Sequence, residues 1–272
     1  MRLGVISDLH IDTNSDETWS SEDFKTILAR ELSEQKVELL LIAGDVSNHH
    51  KLSHAFVKSL KEISGIDILF IPGNHDYWDQ ENEHKATWEI YNDFKAQEES
   101  LLEKPYHIND EWVIVGHSGW YDYTYADSRF STEHLQERTY NGRTWKDKLY
   151  TDWQMSDREL SKLFADKVQN DLEQVKDKKV ILMTHMVTYQ KFSVQMPHPV
   201  FDYFNAFIGT SHYIPFFQNY PVKYNIMGHV HHRESEEKDG IIHICSCLGN
   251  RKEWGSDDLH REIEDTLSII DL

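Results

Sequence analysis

The chain reads as an α/β protein built on mixed β-structure, and three observations predict this. The first third alternates short apolar runs with amphipathic stretches, a β-α-β-α-β opening. The later strand-like runs, at 112–116, 179–184, 222–227, 241–247 and 266–270, include neighbours with no helical pattern between them. Five apolar runs end in residues that bind metals: RLGVIS before Asp8 and His10, VELLLIAG before Asp45, IDILFIPG before Asn74, His75 and Asp76, KVILMT before His185, and VKYNIMG before His229 and His231. Strands ending on one side of a sheet would bring those side chains together around bound cations.

Each element has a local reason. Residues 2–7 and 37–43 are short, apolar and closed by turn residues, as buried strands are. Between them Phe24, Ile27, Leu28 and Leu32 recur at helical spacing from Glu22 to Lys36, with Ser20 or Ser21 as the N-cap. A second helix is predicted over about 52–63, carrying Leu52, Phe56, Leu60 and Ile63, and a third strand over 66–71. This order favours parallel strands joined by right-handed crossovers. The consecutive later strands predict a mixed sheet or two sheets packed together.

The 272 residues are 39% hydrophobic, enough for a substantial core, and are expected to form one domain over 1–272. No apolar run approaches the ~18 residues of a membrane span, and the start MRLGVISDLH lacks the apolar stretch of a secretory signal. A cytoplasmic location is expected. Cys245 and Cys247, two apart in IIHICSC, share a strand face and are expected to be buried thiols. With 28 basic against 47 acidic residues the formal charge is −19, which opposes loose binding to long nucleic acid or anionic lipid. A phosphate ester held by metal is not excluded, since the field at a metal site can oppose the global one. Acidic runs such as ESEEKD read as solvated surface.

Residues 118–165 stand apart. GWYDYTYADSRF and RTYNGRTWKDKLYTDW are dense in Trp and Tyr but weakly periodic, and are expected to form an aromatic-rich insertion over the sheet edge. Loops at the carboxyl ends of strands choose substrates, so Trp120, Tyr121 and Tyr123 are candidate substrate contacts. Packing of these aromatics onto the body explains the composition equally well.

The ligand candidates follow from side-chain direction. Asp8 and His10 are two apart and point the same way in an extended segment, as do His229 and His231. Asp45 has two oxygens and could bridge two cations, and Gly44 lets the backbone turn sharply beside it. Asn74 offers a neutral oxygen. His75 should point elsewhere, and Asp76 could hold one of its ring nitrogens, which suits proton delivery to a leaving oxygen. His49, His50, His117 and His232 are expected not to be ligands.

With these residues in order, DLH at 8–10, GDVSN at 44–48, GNHD at 73–76, His185 and GHVH at 228–231, the chain resembles the calcineurin-like metallophosphoesterases, whose ordered blocks are DxH, GDxx(D/N), GNH(D/E), H and GHxH. The blocks span most of the chain. Asn48 takes the last place of the second block, where the pattern allows Asp or Asn. The resemblance implies a four-layer α/β sandwich, two mixed sheets flanked by helices. It implies that Asp8, His10 and His231 hold one metal, that Asn74, His185 and His229 hold another, and that Asp45 bridges them. His75 would face the scissile phosphate with Asp76 as its partner. The implied cofactors are two divalent or trivalent transition-metal ions, Mn, Fe or Zn, which suit mixed N/O ligands. The implied reaction is hydrolysis of a small phosphomonoester or phosphodiester by a metal-bridging hydroxide. A nucleotide pyrophosphatase and a catalytically silent metal-binding scaffold for a protein partner are the alternatives. Nuclease activity would gain support if Arg129, Arg138, Arg143, Lys146 and Lys148 formed one basic face.

Overall fold

The computed structural model describes residues 1–80 and 85–272. Among these the strands are β1 (Arg2–Ile6), β2 (Leu39–Ile42), β3 (Asp67–Phe70), β4 (Tyr106–His107), β5 (Trp112–His117), β6 (Thr139–Tyr140), β7 (Arg143–Thr144), β8 (Lys179–Thr184), β9 (Val222–Met227), β10 (Arg233–Lys238), β11 (Ile241–Ser246) and β12 (Ser268–Asp271). They form two larger sheets and a small hairpin. The first sheet runs β12-β1-β2-β3, and the second β10-β11-β9-β8-β5-β4. Both are mixed in the same way. β1, β2 and β3 are parallel, with β12 antiparallel at one edge. β5, β8, β9 and β11 are parallel, with β4 and β10 antiparallel at the two edges.

Alternation along the strands makes the layers. In β2, Leu39 and Leu41 share an apolar cluster with Ile114, Ile181 and Ile226 of the second sheet. Leu40 and Ile42 turn the other way, onto Phe24, Leu28, Val57 and Leu60 of the helices Ser21–Glu34 and His50–Ser64. On the second sheet Val113, Val180 and Leu182 point outward, onto Val168 and Leu172 of the helix Asp157–Gln174. Each such buried side chain contributes about 1.5–3 kcal/mol relative to exposure. The result is helix, sheet, sheet, helix. The first helix is capped as its sequence suggests: the Ser20 hydroxyl accepts from the Asp23 N–H, and the Asp23 carboxylate accepts from the Ser20 N–H at 2.8 Å. The helix predicted over about 52–63 runs from His50 to Ser64 and stops at Gly65, at φ +70°.

One of the longer strands was not foreseen, and one expectation is corrected. β10, RESEEK, is almost wholly exposed along one edge, so no apolar pattern marks it. The irregular stretch is shorter than 118–165, because the helix Asp157–Gln174 takes its last part, capped by Ser156 and Glu159. Residues 118–156 hold the short helices Thr132–Gln136 and Asp147–Tyr150 and the β6-β7 hairpin. Cys245 and Cys247 are buried free thiols. Among the described residues no helix is long and apolar enough to cross a membrane.

Candidate metal centre

The carboxyl ends of β1, β2, β3, β8 and β9 face one region between the sheets, and the five ligand-bearing segments leave them there. The chain turns abruptly at the exits of β1, β2 and β9. Asp8, His10, Asp45, His229 and His231 all have positive φ, between 43° and 75°, a conformation that costs a non-glycine residue energy and is held only where surrounding structure demands it. Glycine makes room for it. A Cβ on Gly73 would stand 2.1 Å from Asp45 Oδ1, and one on Gly44, at φ +92°, would stand 2.6 Å from Gly73 N.

Seven side chains converge. Asp8, His10 and His231 form one group: His10 Nε2 lies 3.1 Å from His231 Nε2, which lies 3.6 Å from Asp8 Oδ1. Asn74, His185 and His229 form another: His185 Nε2 is 3.1 Å from both Asn74 Oδ1 and His229 Nδ1. Asp45 Oδ2 stands between them, 3.9 Å from His10 Nε2 and 3.3 Å from His185 Nε2. All but His231 are buried.

The outer atoms are committed elsewhere. His185 Nδ1 is 2.8 Å from the Ala43 carbonyl, His229 Nε2 is 3.0 Å from the Phe207 carbonyl, and His231 Nδ1 is 2.7 Å from Glu253 Oε2. An N–H pointed at each of those acceptors leaves a lone pair on the inner nitrogen. Asn74 donates Nδ2 to Asp147 Oδ1 at 2.9 Å, which turns its amide oxygen inward. Converging lone pairs repel one another unless a cation lies among them, so the donor set fits two metal ions. The electrostatics ask for the same charge. Burial opposes a charged His185, yet the Asp45 carboxylate outweighs it and raises that imidazole to about 10, a proton standing where a cation is wanted. Burial, then the neighbouring His185, lowers His229 to about 4.

His75 lies beside the groups, its Nε2 3.9 Å from Asp45 Oδ2, with its ring stacked on Trp78 at 3.7 Å. The expected partner Asp76 does not touch its ring. Asp76 is buried under the β2 exit, accepting the N–H groups of Asp45, Val46, Ser47 and Gly73 and the Ser53 hydroxyl. It braces the loop that carries Asp45, and burial, then the Asp45 charge, raises it to about 7. The group at the His75 ring is Asn48, whose Oδ1 lies 2.5 Å from Nδ1. Asn48 stands in the GDVSN block, so the motif contained the residue though not its contact.

Trp120, Tyr121 and Tyr123 lie in the interior, at 0%, 0% and 8% exposure. Trp120 Nε1 donates to Asp157 Oδ1 at 2.8 Å, the Tyr123 hydroxyl bonds the same carboxylate, and the Tyr121 hydroxyl reaches Asp147 Oδ2 at 3.2 Å. None lines the cleft beside the candidate metal ligands, which is walled by 143–147 instead. Asp147 and Glu253 had no signal in sequence, being single acids among many. Among the described residues, His49, His50, His117 and His232 join none of the metal-ligand groups. Arg129 and Arg138 are paired with Asp202 and Asp157, so the five cations at 129–148 do not present one free basic face.

Comparison with known proteins accords with this geometry. The sequence model of the calcineurin-like phosphoesterase family matches residues 1–233. A search of curated proteins found no significant match. Among solved structures, a phosphopantetheinyl hydrolase from Mycobacterium tuberculosis is similar with a TM-score of 0.73 at 18% identity, over 93% of this chain and 90% of that one. A dimetal phosphatase from Danio rerio is similar with a TM-score of 0.57 at 12% identity, over 90% and 86%. At these identities the likeness is one of fold.

Proposed function

Because the chain belongs to the calcineurin-like phosphoesterase family, a family of metal-dependent hydrolases, we propose that Asp8, His10, Asp45, Asn74, His185, His229 and His231 hold two transition-metal ions, and that the paired site hydrolyses a small phosphomonoester or phosphodiester. The observation that carries this is the place of Asp45, one carboxylate oxygen within 4 Å of ligand nitrogens from both groups. A metal pair there supplies an acidified water and positive charge for the phosphoryl oxygens. Mixed imidazole, carboxylate and amide donors suit Mn, Fe or Zn.

The protein's own groups do the rest. His185, His229 and His231 are fixed in tautomer by Ala43, Phe207 and Glu253, so their inner nitrogens need no reorientation. His75 is the proton donor to the departing oxygen. Asn48 Oδ1 accepts its Nδ1–H, and Nε2 turns toward the Asp45 side of the site. The same histidine and its intact partner weigh against a silent scaffold, which needs neither. Stacking on Trp78 at 3.7 Å holds the plane of that ring at the edge of the cleft.

The test is hydrolysis of p-nitrophenyl phosphate and bis(p-nitrophenyl) phosphate by protein dialysed free of metal, then supplied with Mn²⁺. Activity restored by the metal supports the reading, and the preferred ester separates monoesterase from diesterase. Metal binding with no turnover of either ester, nor of nucleoside diphosphates, would leave the scaffold.

A further inference from the structure

Beside the ligands opens a cleft of about 530 Å³, floored by Asn74 and His75. That is the size of a small-molecule site, not of a polymer groove. Its lining has two characters. Trp145, Phe201 and Phe204 form an apolar wall. Arg143, Lys146 and Lys252 form a basic rim, two from the β6-β7 hairpin and the turn after it, one from the segment after β11.

These three cations meet at one cleft. Acids outnumber bases 47 to 28, so most cations find carboxylates, as Arg129, Arg138, Arg233 and Arg251 do. Among the described residues, Arg143, Lys146 and Lys252 have no ion-pair partner. Asp147 lies next to Lys146 but is buried, with its oxygens occupied by Asn74, Trp78, Trp145 and Tyr121. Glu253 lies next to Lys252 but is turned to His231. Both nearby acids therefore serve the metal centre, and the rim is left with three uncompensated positive charges facing the cleft.

We propose that this rim is a second anion site, and that the substrate is a phosphate ester whose apolar or flat arm carries a second phosphate. The inference rests on the reading of the metal end given above. One phosphate lies at the metal ligands, the arm lies on Trp145, Phe201 and Phe204, and the second phosphate meets Arg143, Lys146 and Lys252. A guanidinium takes two phosphate oxygens at once, and two ammonium groups add point charges. Three cations match a dianion better than they match a single carboxylate. The site selects small bisphosphorylated molecules against simple monophosphates.

The test uses ligands that no esterase can cleave. Alkane-α,ω-bisphosphonates of increasing length and the matching alkanemonophosphonates are titrated calorimetrically into the manganese-loaded protein. The bisphosphonates are expected to bind at least about tenfold tighter, with an optimum chain length, since charge-assisted hydrogen bonds contribute that much or more. The combined variant Arg143→Ser, Lys146→Ser, Lys252→Ser should lose the preference. A charge-matched control, Lys58→Ser, Lys176→Ser, Lys223→Ser, should keep it. Equal affinity for both ligand types, or a preference that the control abolishes as fully as the rim variant, overturns the proposal. The two readings fail separately: a protein that cleaves generic esters without preferring bisphosphonates loses only the rim, and one that prefers bisphosphonates but cleaves nothing loses only the hydrolase.

Discussion

Asn74 shows how much one residue depends on another. Its side chain could turn either end inward, and Asp147 decides which. Asp147→Asn keeps the shape but replaces a carboxylate that receives Asn74, Trp78, Trp145 and Tyr121. Affinity for the ion at the Asn74 group should fall about 10–100-fold, with the other ion little changed. Titration with a chelator would then strip one equivalent early, and simultaneous release of both would contradict the assignment. Asn48 plays the matching part for His75. His75→Gln should slow turnover roughly 10²–10⁴-fold at unchanged metal content. Asn48→Ala should give a smaller loss of kcat, and full activity in His75→Gln would remove the proton-donor role. The seven candidate ligands could be picked out because each stands at a strand exit in a motif of fixed order. Asp147 and Glu253 could not, because their contacts join segments 73 and 22 residues apart.

At the scale of elements, the strand exits are tight because backbone meets side chain there. Gly73→Ala would place a methyl 2.1 Å from Asp45 Oδ1 and 2.6 Å from Asp45 N. Asp45 must then move, and because it serves both groups, both ions should be lost while circular dichroism stays native. Retention of both ions would show that the loop relaxes. β5 ends differently, in the buried His117. Its Nδ1 accepts the Gly119 N–H at 3.3 Å, so Nε2–H donates to Tyr91 Oη at 3.0 Å, and that hydroxyl donates to Glu103 at 2.7 Å. Burial, then the charge of Lys167, lowers His117 to about 3. The unfolded chain takes up this proton near pH 6.5 and the folded one does not, so stability is full above about 6.5 and declines as the pH falls toward 3. One proton is worth about 1.4 kcal/mol per pH unit in that window. His117→Gln should therefore flatten the dependence of the urea midpoint on pH between about 6.5 and 4, and an unchanged slope would exclude His117 as its source. The apolar strands were legible from composition. β10 was not, because an exposed edge strand buries nothing and so leaves no apolar pattern.

For the molecule as a whole, two mixed sheets put five strand ends from different parts of the chain within one site, and the rest of the architecture holds them there. The aromatic stretch shows where composition stops being informative. Trp120, Tyr121 and Tyr123 were candidate substrate contacts on composition, and they are buried instead. Which segment then faces the cleft depended on the path of the chain, which brings the less conspicuous 143–147 to the wall. The excess of acid is solvated surface such as β10, while the cleft keeps a basic rim. The central claim is a pair of metals bridged by Asp45. It is tested most directly by anomalous diffraction from crystals of the manganese-loaded protein. Two peaks about 3.5–4 Å apart, both in contact with Asp45, one bound by Asp8, His10 and His231 and the other by Asn74, His185 and His229, are the expected result. A single peak, or ions held by His49 and His50, would contradict it.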